Sequence, residues 1–127
     1  MPITLTPLLN VADVAQSVAF YRDLGFEVTG RFEDAGELVW VSLAAGEARL
    51  MLNRKDRITS EQRLARPHYG DLVLYLDVPS AHQMHAELSA RGVTVGPVER
   101  QAYGVDEFCL RDPDGYELAI MSAPATT

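Results

Sequence analysis

The chain has 127 residues, of which 47% are hydrophobic and 23% are charged. This composition predicts a globular protein with one domain over residues 1–127, long enough to bury a core. The net charge of −7 and the single lysine disfavour a nucleic-acid partner, because binding to a phosphate backbone needs clustered positive charge.

The sequence predicts neither export nor insertion into a membrane. No apolar run approaches the ~18 residues that a membrane span needs, and the first ten residues lack the basic segment of a secretory signal. Cys109 is the single cysteine, which excludes an internal disulfide and indicates a reducing compartment. We therefore expect a cytoplasmic protein without a membrane partner.

The first part of the chain predicts a strand, a helix and three more strands. A short apolar run predicts a strand over residues 4–11, with Pro7 near its start at an edge or bulge. Asp13 followed by Gln16 is typical of a capped helix start, and Gly25 of a helix end. Alternating patterns then predict strands over residues 26–32, 38–43 and 48–53.

A polar linker over residues 54–70, with a helical turn expected near residues 59–65, leads into a second part with the same element order. A strand is predicted over residues 71–78, and Ser80 with Gln83 forms a capping box before a helix that Gly92 ends. The remaining strands are predicted over residues 93–98, 105–110 and 116–121.

The turn between the last two strands is the most clearly marked in the chain. In the sequence Asp112-Pro113-Asp114-Gly115, proline presets the first φ, aspartate can bond its own backbone and glycine tolerates positive φ. The chain thus repeats a strand–helix–three-strand order, βαβββ, over residues 4–53 and 71–122.

Four segments of this repeat resemble the vicinal oxygen chelate superfamily, which includes glyoxalase I, extradiol dioxygenases, fosfomycin-resistance enzymes and bleomycin-resistance proteins. The segments are NVADVAQSVAFYRDLGFEV (10–28), GEARLMLNR (46–54), LYLDVPSAHQMHAELSARGV (74–93) and YGVDEFCLRDPDGYEL (103–118). The resemblance implies an α+β fold in which two βαβββ modules form a partial barrel around a ligand cleft, usually in a homodimer.

The metal enzymes of this superfamily hold a divalent ion with His, Gln or Glu on cavity-facing strand positions. Those positions fall on Thr6, Val73, Ala119 and Met51, with Leu50 as the alternative to Met51. The four apolar side chains cannot ligate a hard cation, and threonine alone is a poor ligand. We therefore expect neither the family metal nor another cofactor.

Two histidines and the cysteine are candidate reactive groups. His82 and His85 lie one helical turn apart, a spacing that can bind metal. His85 falls in an apolar helical stripe, so a packed histidine is the simpler interpretation, and His82 is expected to face water. Cys109 has apolar neighbours in sequence, which favours a buried and inert thiol over a nucleophile.

Strand alternation predicts one apolar and aromatic face in each module that would line the cleft. The first module contributes Thr6, Leu8, Asn10, Trp40, Ser42, Arg49 and Met51. The second contributes Val73, Tyr75, Asp77, Tyr103, Glu107, Cys109, Glu117 and Ala119.

These candidates have structural alternatives. Trp40 can serve packing alone, and Tyr103 can merely shape its turn. A mutual salt bridge competes with ligand contact for Arg49 and Glu117. Solvated rim charges are the alternative for Asp77 and Glu107.

Three functions follow from these features. The first is a protein that sequesters a small, partly aromatic ligand such as an antibiotic, as metal-free bleomycin-resistance proteins do. The second is a lyase, isomerase or dioxygenase of the superfamily with a displaced metal site, or with acid–base chemistry from Glu107 and Glu117. The third is a domain whose dimer surface matters more than its cleft.

Overall fold

The computed structural model describes residues 1–54, 59, 61–62, 65 and 72–125. The chain divides into two compact units, Met1–Ala65 and Arg66–Thr127, and the division falls inside the predicted linker. Each unit combines a four-stranded sheet with a ten-residue helix. This architecture confirms the predicted α+β class.

The first unit contains the elements β1 (Leu8–Val11), α1 (Val14–Asp23), β2 (Glu27–Asp34), β3 (Glu37–Ala45) and β4 (Ala48–Arg54). Its sheet has the strand order β1-β4-β3-β2. Strand β1 pairs in parallel with β4, and the other neighbours are antiparallel.

The second unit repeats this arrangement with β5 (Val73–Asp77), α2 (Ala81–Ala90), β6 (Glu99–Arg100), β7 (Asp106–Arg111) and β8 (Glu117–Ser122). Its strand order is β5-β8-β7-β6, with β5 parallel to β8. The internal repeat predicted from the element order is therefore present in the fold.

Both helices begin at the predicted caps. The Gln16 backbone N–H donates to Asp13 Oδ1 at 3.1 Å, and the Gln83 N–H donates to Ser80 Oγ at 3.1 Å. These bonds satisfy N–H groups that have no partner within the helix. Beyond each helix end lies a glycine with positive φ, Gly25 and Gly92.

In each unit the sheet buries one face, and in the first unit the buried residues alternate along the strands as predicted. In the first unit the buried strand residues are Leu9, Val11, Val41, Leu43, Leu50 and Leu52, and α1 buries Val14, Val18 and Tyr21. In the second unit the apolar ones on the corresponding face are Phe108, Leu110, Leu118 and Ile120, and α2 buries Ala81 and Leu88. Strict alternation of burial fails there, because Glu107 and Ala119 on the opposite face are buried as well. We call the sheet face that carries the intervening residues the distal face.

The DPDG turn has the predicted internal bonds. Asp112 Oδ1 accepts from the backbone N–H groups of Asp114 at 2.9 Å and Tyr116 at 2.8 Å. The Gly115 N–H donates to the Asp112 carbonyl at 2.8 Å, and Gly115 has a φ of 88°. This turn fixes the register in which β8 returns along β7.

Strand β1 starts at Leu8, so the prediction of a strand from residue 4 was wrong at its beginning. The Pro7 carbonyl accepts from the Met51 N–H at 2.9 Å. Further parallel pairing would require residue 7 to donate to the Arg49 carbonyl, and proline has no N–H. The ladder therefore stops at Pro7.

The strand predicted over residues 93–98 was also wrong, since β6 covers only Glu99–Arg100. The Gly96 N–H still donates to the Cys109 carbonyl at 2.8 Å. The next residue is Pro97, which cannot donate to a ladder, so regular pairing is delayed.

In the linker, Thr59 and Gln62 cap each other. The Gln62 N–H donates to Thr59 Oγ1 at 3.1 Å, and the Thr59 N–H donates to Gln62 Oε1 at 2.9 Å. The rest of the predicted turn over residues 59–65 lies largely outside the described residues. Within the described part of the chain, no helix has both the length and the apolar character to cross a membrane.

Candidate functional site

The distal face of the first sheet carries two rows of side chains. In one row, Met51 lies between Leu8 on β1 and Ser42 on β3. In the next, Asn53 lies between Asn10 and Trp40. Leu50, the alternative candidate to Met51, is only 3% exposed and belongs to the opposite, buried face.

Trp40 lies close to Gly30 on the neighbouring strand. A Cβ atom at Gly30 would be 3.6 Å from Trp40 Cζ3 and 2.9 Å from Ser42 Oγ. Ser42 Oγ is also 2.8 Å from Thr29 Oγ1, a hydrogen-bond distance. The indole therefore has a packing role at Gly30, the alternative considered from the sequence, while the side chain stays half-exposed on the distal face.

The remaining candidates of the first unit have different surroundings. Asn53 Nδ2 donates to Asn10 Oδ1 at 3.3 Å, which joins β4 and β1 through side chains. Arg49 is exposed and pairs across the sheet with Ala44. Thr6 precedes β1, so its predicted place within the first strand was wrong.

The distal face of the second sheet holds the other candidates in three rows across its strands. Their members, from β5 to β7, are Val73, Glu117 and Arg111 in the first row, Tyr75, Ala119 and Cys109 in the second, and Asp77, Met121 and Glu107 in the third, which Glu99 extends on β6. Four of these residues are carboxylates and one is an arginine, so the face is predominantly acidic.

Tyr103, Glu107 and Tyr75 come together on this face. The Tyr103 hydroxyl donates to Glu107 Oε1 at 2.6 Å. This hydrogen bond, with burial and the nearby Tyr75, raises the pKa of Tyr103. Glu107 is only 8% exposed, so the alternative of a solvated rim charge was wrong for this residue, whereas Asp77 is exposed.

Cys109 is exposed, and the expectation of a buried thiol was wrong. Partial burial, followed by the charges of Glu107, Glu117 and Glu99, raises the pKa of the Cys109 thiol. A higher pKa leaves less thiolate at neutral pH and makes the group a poor nucleophile. Beside it lies a cleft of about 350 Å³, lined by Thr94, Val95, Gly96, Cys109, Leu110, Arg111 and Glu117.

Both histidines of α2 serve the structure of the second unit. The His85 ring lies edge-on to Phe108 with centroids 5.1 Å apart, and its Nε2 donates to the Gly96 carbonyl at 2.9 Å. His82 is exposed, as expected, and its Nε2 lies 3.1 Å from Asp106 Oδ2.

The side chains do not fit the metal that the resemblance implies. Met51, Val73 and Ala119 offer no oxygen or nitrogen donor, and Thr6 offers one neutral hydroxyl. Among the described residues, no group of three or more His, Cys, Asp or Glu side chains is placed to hold an ion.

Several distal-face residues were not among the sequence candidates. They include Gly30, Phe32, Asn53, Glu99, Arg111 and Met121. Asn53, Arg111 and Met121 each follow a sequence candidate by two positions on the same strand, so the two-residue period of a strand points to them. Gly30 and Glu99 required the register between strands, which depends on a bulge near Thr29 and on the short β6.

Comparison with known proteins identifies the family. Residues 4–120 match the model of the Glyoxalase/Bleomycin resistance protein/Dioxygenase superfamily. The chain therefore belongs to this superfamily, as its motifs indicated.

Solved structures with the same fold include proteins that bind antibiotics. A bleomycin-binding protein in complex with bleomycin is 23% identical, with 97% of this chain and 100% of that chain covered and a TM-score of 0.72. A bleomycin resistance determinant encoded on the transposon Tn5 is 23% identical, with 98% and 100% covered and a TM-score of 0.74. TnmS3, an antibiotic binding protein from Streptomyces sp. CB03234, is 21% identical, with 98% and 99% covered and a TM-score of 0.71. No curated protein sequence matches the chain.

Proposed function

We propose that this chain is a small-molecule-binding protein of the bleomycin-resistance type, which works without the family metal and sequesters an antibiotic or another partly aromatic ligand. The observation that carries the proposal is the distal face of the second sheet. It presents Tyr75 and Tyr103, which are 54% and 62% exposed, beside the carboxylate of Glu107. Exposed aromatic rings next to a few polar groups are typical of small-molecule sites.

Two further findings support this function. The residues at the family's metal positions, Thr6, Met51, Val73 and Ala119, supply no set of metal ligands. Proteins that share the fold include a bleomycin-binding protein and an antibiotic binding protein.

The enzymatic alternative has less support. It relied on Glu107 and Glu117 acting as a pair, but Glu107 lies opposite Met121 and Glu117 lies opposite Arg111. The two carboxylates are therefore four positions apart along the ladder, about 13 Å at the usual rise of a strand. Proton transfer to and from one reacting group requires both carboxylates within hydrogen-bond reach of it.

The experiment is a titration of the protein with metal-free bleomycin in the presence of EDTA. Binding is monitored through the fluorescence of Trp40, the single tryptophan. We expect a saturable change with a Kd of about 10 μM or tighter, equivalent to about −7 kcal/mol. A portion of the protein purified without a chelator, taken before EDTA is added, is analysed for Ni, Zn, Mn and Fe by mass spectrometry, and we expect well under one ion per chain.

Calorimetry on Trp40→Phe separates loss of the fluorescent reporter from loss of binding. Heat of binding without a fluorescence change would place the ligand away from Trp40 but support sequestration. An absence of both signals with bleomycin, or one tightly held ion per chain, would overturn the proposal as stated.

We also propose a homodimer in the cytoplasm. The dimer is supported by large apolar side chains at the surface before β1, and the location by the single unpaired cysteine.

A further inference from the structure

Two neighbouring carboxylates on β7 differ in the partners that the fold gives them. Asp106 is 2% exposed and Glu107 is 8% exposed, so both are removed from water. Because side chains alternate along a strand, the two carboxylates lie on opposite faces of the same sheet. The stabilisation of each negative charge therefore depends on the hydrogen-bond donors that lie on its own face of the sheet.

Asp106 has a full set of donors. Arg100 Nε donates at 2.5 Å, the Ala125 backbone N–H at 2.8 Å, and His82 Nε2 lies at 3.1 Å. These groups supply positive charge and hydrogen bonds together, which is what a buried carboxylate requires.

For Glu107, the donor found among the described residues is a neutral group, the Tyr103 hydroxyl. Among the described residues, no arginine, lysine or histidine forms an ion pair with it. Arg111, the basic residue of the same distal face, lies in the row of Glu117, four positions away along the ladder. The nearest charged groups in its own row, Asp77 and Glu99, are also negative. Within the described part of the chain, the buried carboxylate therefore has no cationic partner.

The groups around Glu107 are suited to a flat cation. Tyr75 and Tyr103 are more than half exposed, the Tyr103 hydroxyl donates to Glu107, and Tyr75 lies close enough to Tyr103 to contribute to the raised pKa of that hydroxyl. Aromatic faces attract cations, and an N–H donor on a cation forms its strongest hydrogen bonds with a carboxylate.

We propose that Tyr75, Tyr103 and Glu107 form the recognition point for a positively charged nitrogen group on an aromatic ligand, a protonated amine, amidine or guanidinium. The charged N–H groups donate to the Glu107 carboxylate, and the tyrosine rings contact the flat part of the ligand. This inference rests on the proposed function, because it specifies which chemical group of the sequestered ligand the protein recognises.

The test uses benzamidine and benzamide, two probes of nearly the same shape that differ by one positive charge. Binding of each to the full chain is followed by amide chemical shifts in NMR titrations. We expect benzamidine to bind at least about tenfold more tightly than benzamide, which corresponds to a single favourable charged contact. The largest shifts are expected at Tyr75, Tyr103 and Glu107.

Substitutions test whether the preference for benzamidine arises at Glu107. Glu107→Gln keeps the side-chain shape and an acceptor for Tyr103 but removes the charge, so the preference for benzamidine should fall to within about twofold. Tyr103→Phe should reduce the preference less. Glu87→Gln is the matched control, because it removes the same charge from an exposed position on α2, away from the distal face, and it should leave the preference unchanged.

Equal binding of the two probes by the unchanged protein would overturn the inference, and so would an absence of benzamidine shifts at these three residues. An equal loss in Glu107→Gln and Glu87→Gln would also overturn it, since that result indicates an effect of the overall negative charge. If Glu107→Gln loses dispersed NMR signals, Tyr103→Phe decides, and an unchanged preference in it counts against the site.

The proposed function and this inference can fail separately. If bleomycin binds equally well to the unchanged protein and to a folded Glu107→Gln variant, sequestration stands and the recognition point falls. If bleomycin does not bind but benzamidine is preferred through Glu107, the recognition point stands and the function must be sought among other cationic ligands.

Discussion

Arg100 on β6 donates from Nε to Asp106 on β7 at 2.5 Å, and this contact ties the two-residue strand β6 to the sheet of the second unit. Asp106 also accepts from the backbone of Ala125, beyond the end of β8. One carboxylate thus connects an edge strand, the helix through His82 and the segment that follows the last strand.

We expect this connection to depend on pH in the acid range. The bond from Arg100, then that from Ala125, hold the pKa of Asp106 at about 2, below the ordinary aspartate value near 4. Because the folded-state pKa is depressed, the stabilisation is complete above about pH 4 and is lost as the pH falls towards 2. Asp106→Asn should lower the thermal unfolding midpoint by several degrees at pH 6, and the difference from the unchanged protein should shrink below pH 4.

The control for this series is Glu87→Gln, which alters an exposed carboxylate of α2 that accepts from Gln83 Nε2 at 3.1 Å. It should follow the pH profile of the unchanged protein. A constant difference between Asp106→Asn and the unchanged protein from pH 6 to pH 3 would show that the charge of Asp106 is not the stabilising feature.

The opposite faces of Leu50 and Met51 give a direct test of strand phase. Leu50 is buried against the α1 side and Met51 lies half-buried on the distal face. Leu50→Ala should lower the free energy of unfolding by about 2–5 kcal/mol, since it leaves a cavity in the core. Met51→Ala should cost about 1 kcal/mol and change ligand affinity instead. Urea unfolding and the bleomycin titration measure the two effects, and a reversed order would mean the faces are exchanged.

Strand phase was predictable because alternation is a local property of sequence. The turns at Gly46 and Gly115 set the phase of β4 and β8, so Met51 and Ala119 could be assigned to the distal face in advance. Alternation also assigned Cys109 to this face, but its burial was misjudged from its apolar neighbours, which point to the opposite face and say nothing about its own exposure. The partners of Glu107 depend on the loop conformation around Tyr103, which no periodicity encodes.

The reactivity of the Cys109 thiol depends on the negative charge of the distal face. Burial and the carboxylates of Glu107, Glu117 and Glu99 raise the pKa of its thiol, so less thiolate is present at a given pH. We expect it to react with a disulfide reagent more slowly at pH 7.5 than the same thiol in urea-unfolded protein. Glu117→Gln should accelerate the reaction, whereas Glu87→Gln should not. A folded-state rate above the unfolded one would contradict the assigned direction of the pKa.

The β2–β3 turn contains a residue in an unfavourable backbone conformation. Asp34 pairs with Glu37, and the two residues between them have positive φ, 51° at Ala35 and 81° at Gly36. This is the pattern of a type I′ hairpin, in which Asn-Gly is preferred. Ala35→Asn should therefore raise the free energy of unfolding by about 0.5–1 kcal/mol in urea denaturation.

The matched control is Ala19→Asn on the exposed side of α1, where we expect a loss of about 0.5 kcal/mol because asparagine is a poorer helix former than alanine. A loss of stability in Ala35→Asn as well would mean that this turn does not hold residue 35 at positive φ in solution.

The segment before β1 provides a test of the proposed homodimer. Met1, Ile3 and Leu5 are almost fully exposed, with Ile3 at 90% and Leu5 at 86%. They precede Pro7, where the hydrogen-bonded ladder of β1 and β4 ends. Large apolar side chains left in water are a feature of surfaces that another protein covers. We expect the unchanged protein to sediment as a dimer at micromolar concentration. The double change Ile3→Ser and Leu5→Ser should raise the dimer dissociation constant at least about tenfold, because it removes apolar area from the interface. Thr4→Ser, in the same segment, should leave the dimer dissociation constant unchanged. A dimer that is insensitive to the double change would mean that the interface lies elsewhere. A monomer in the unchanged protein would contradict the homodimer.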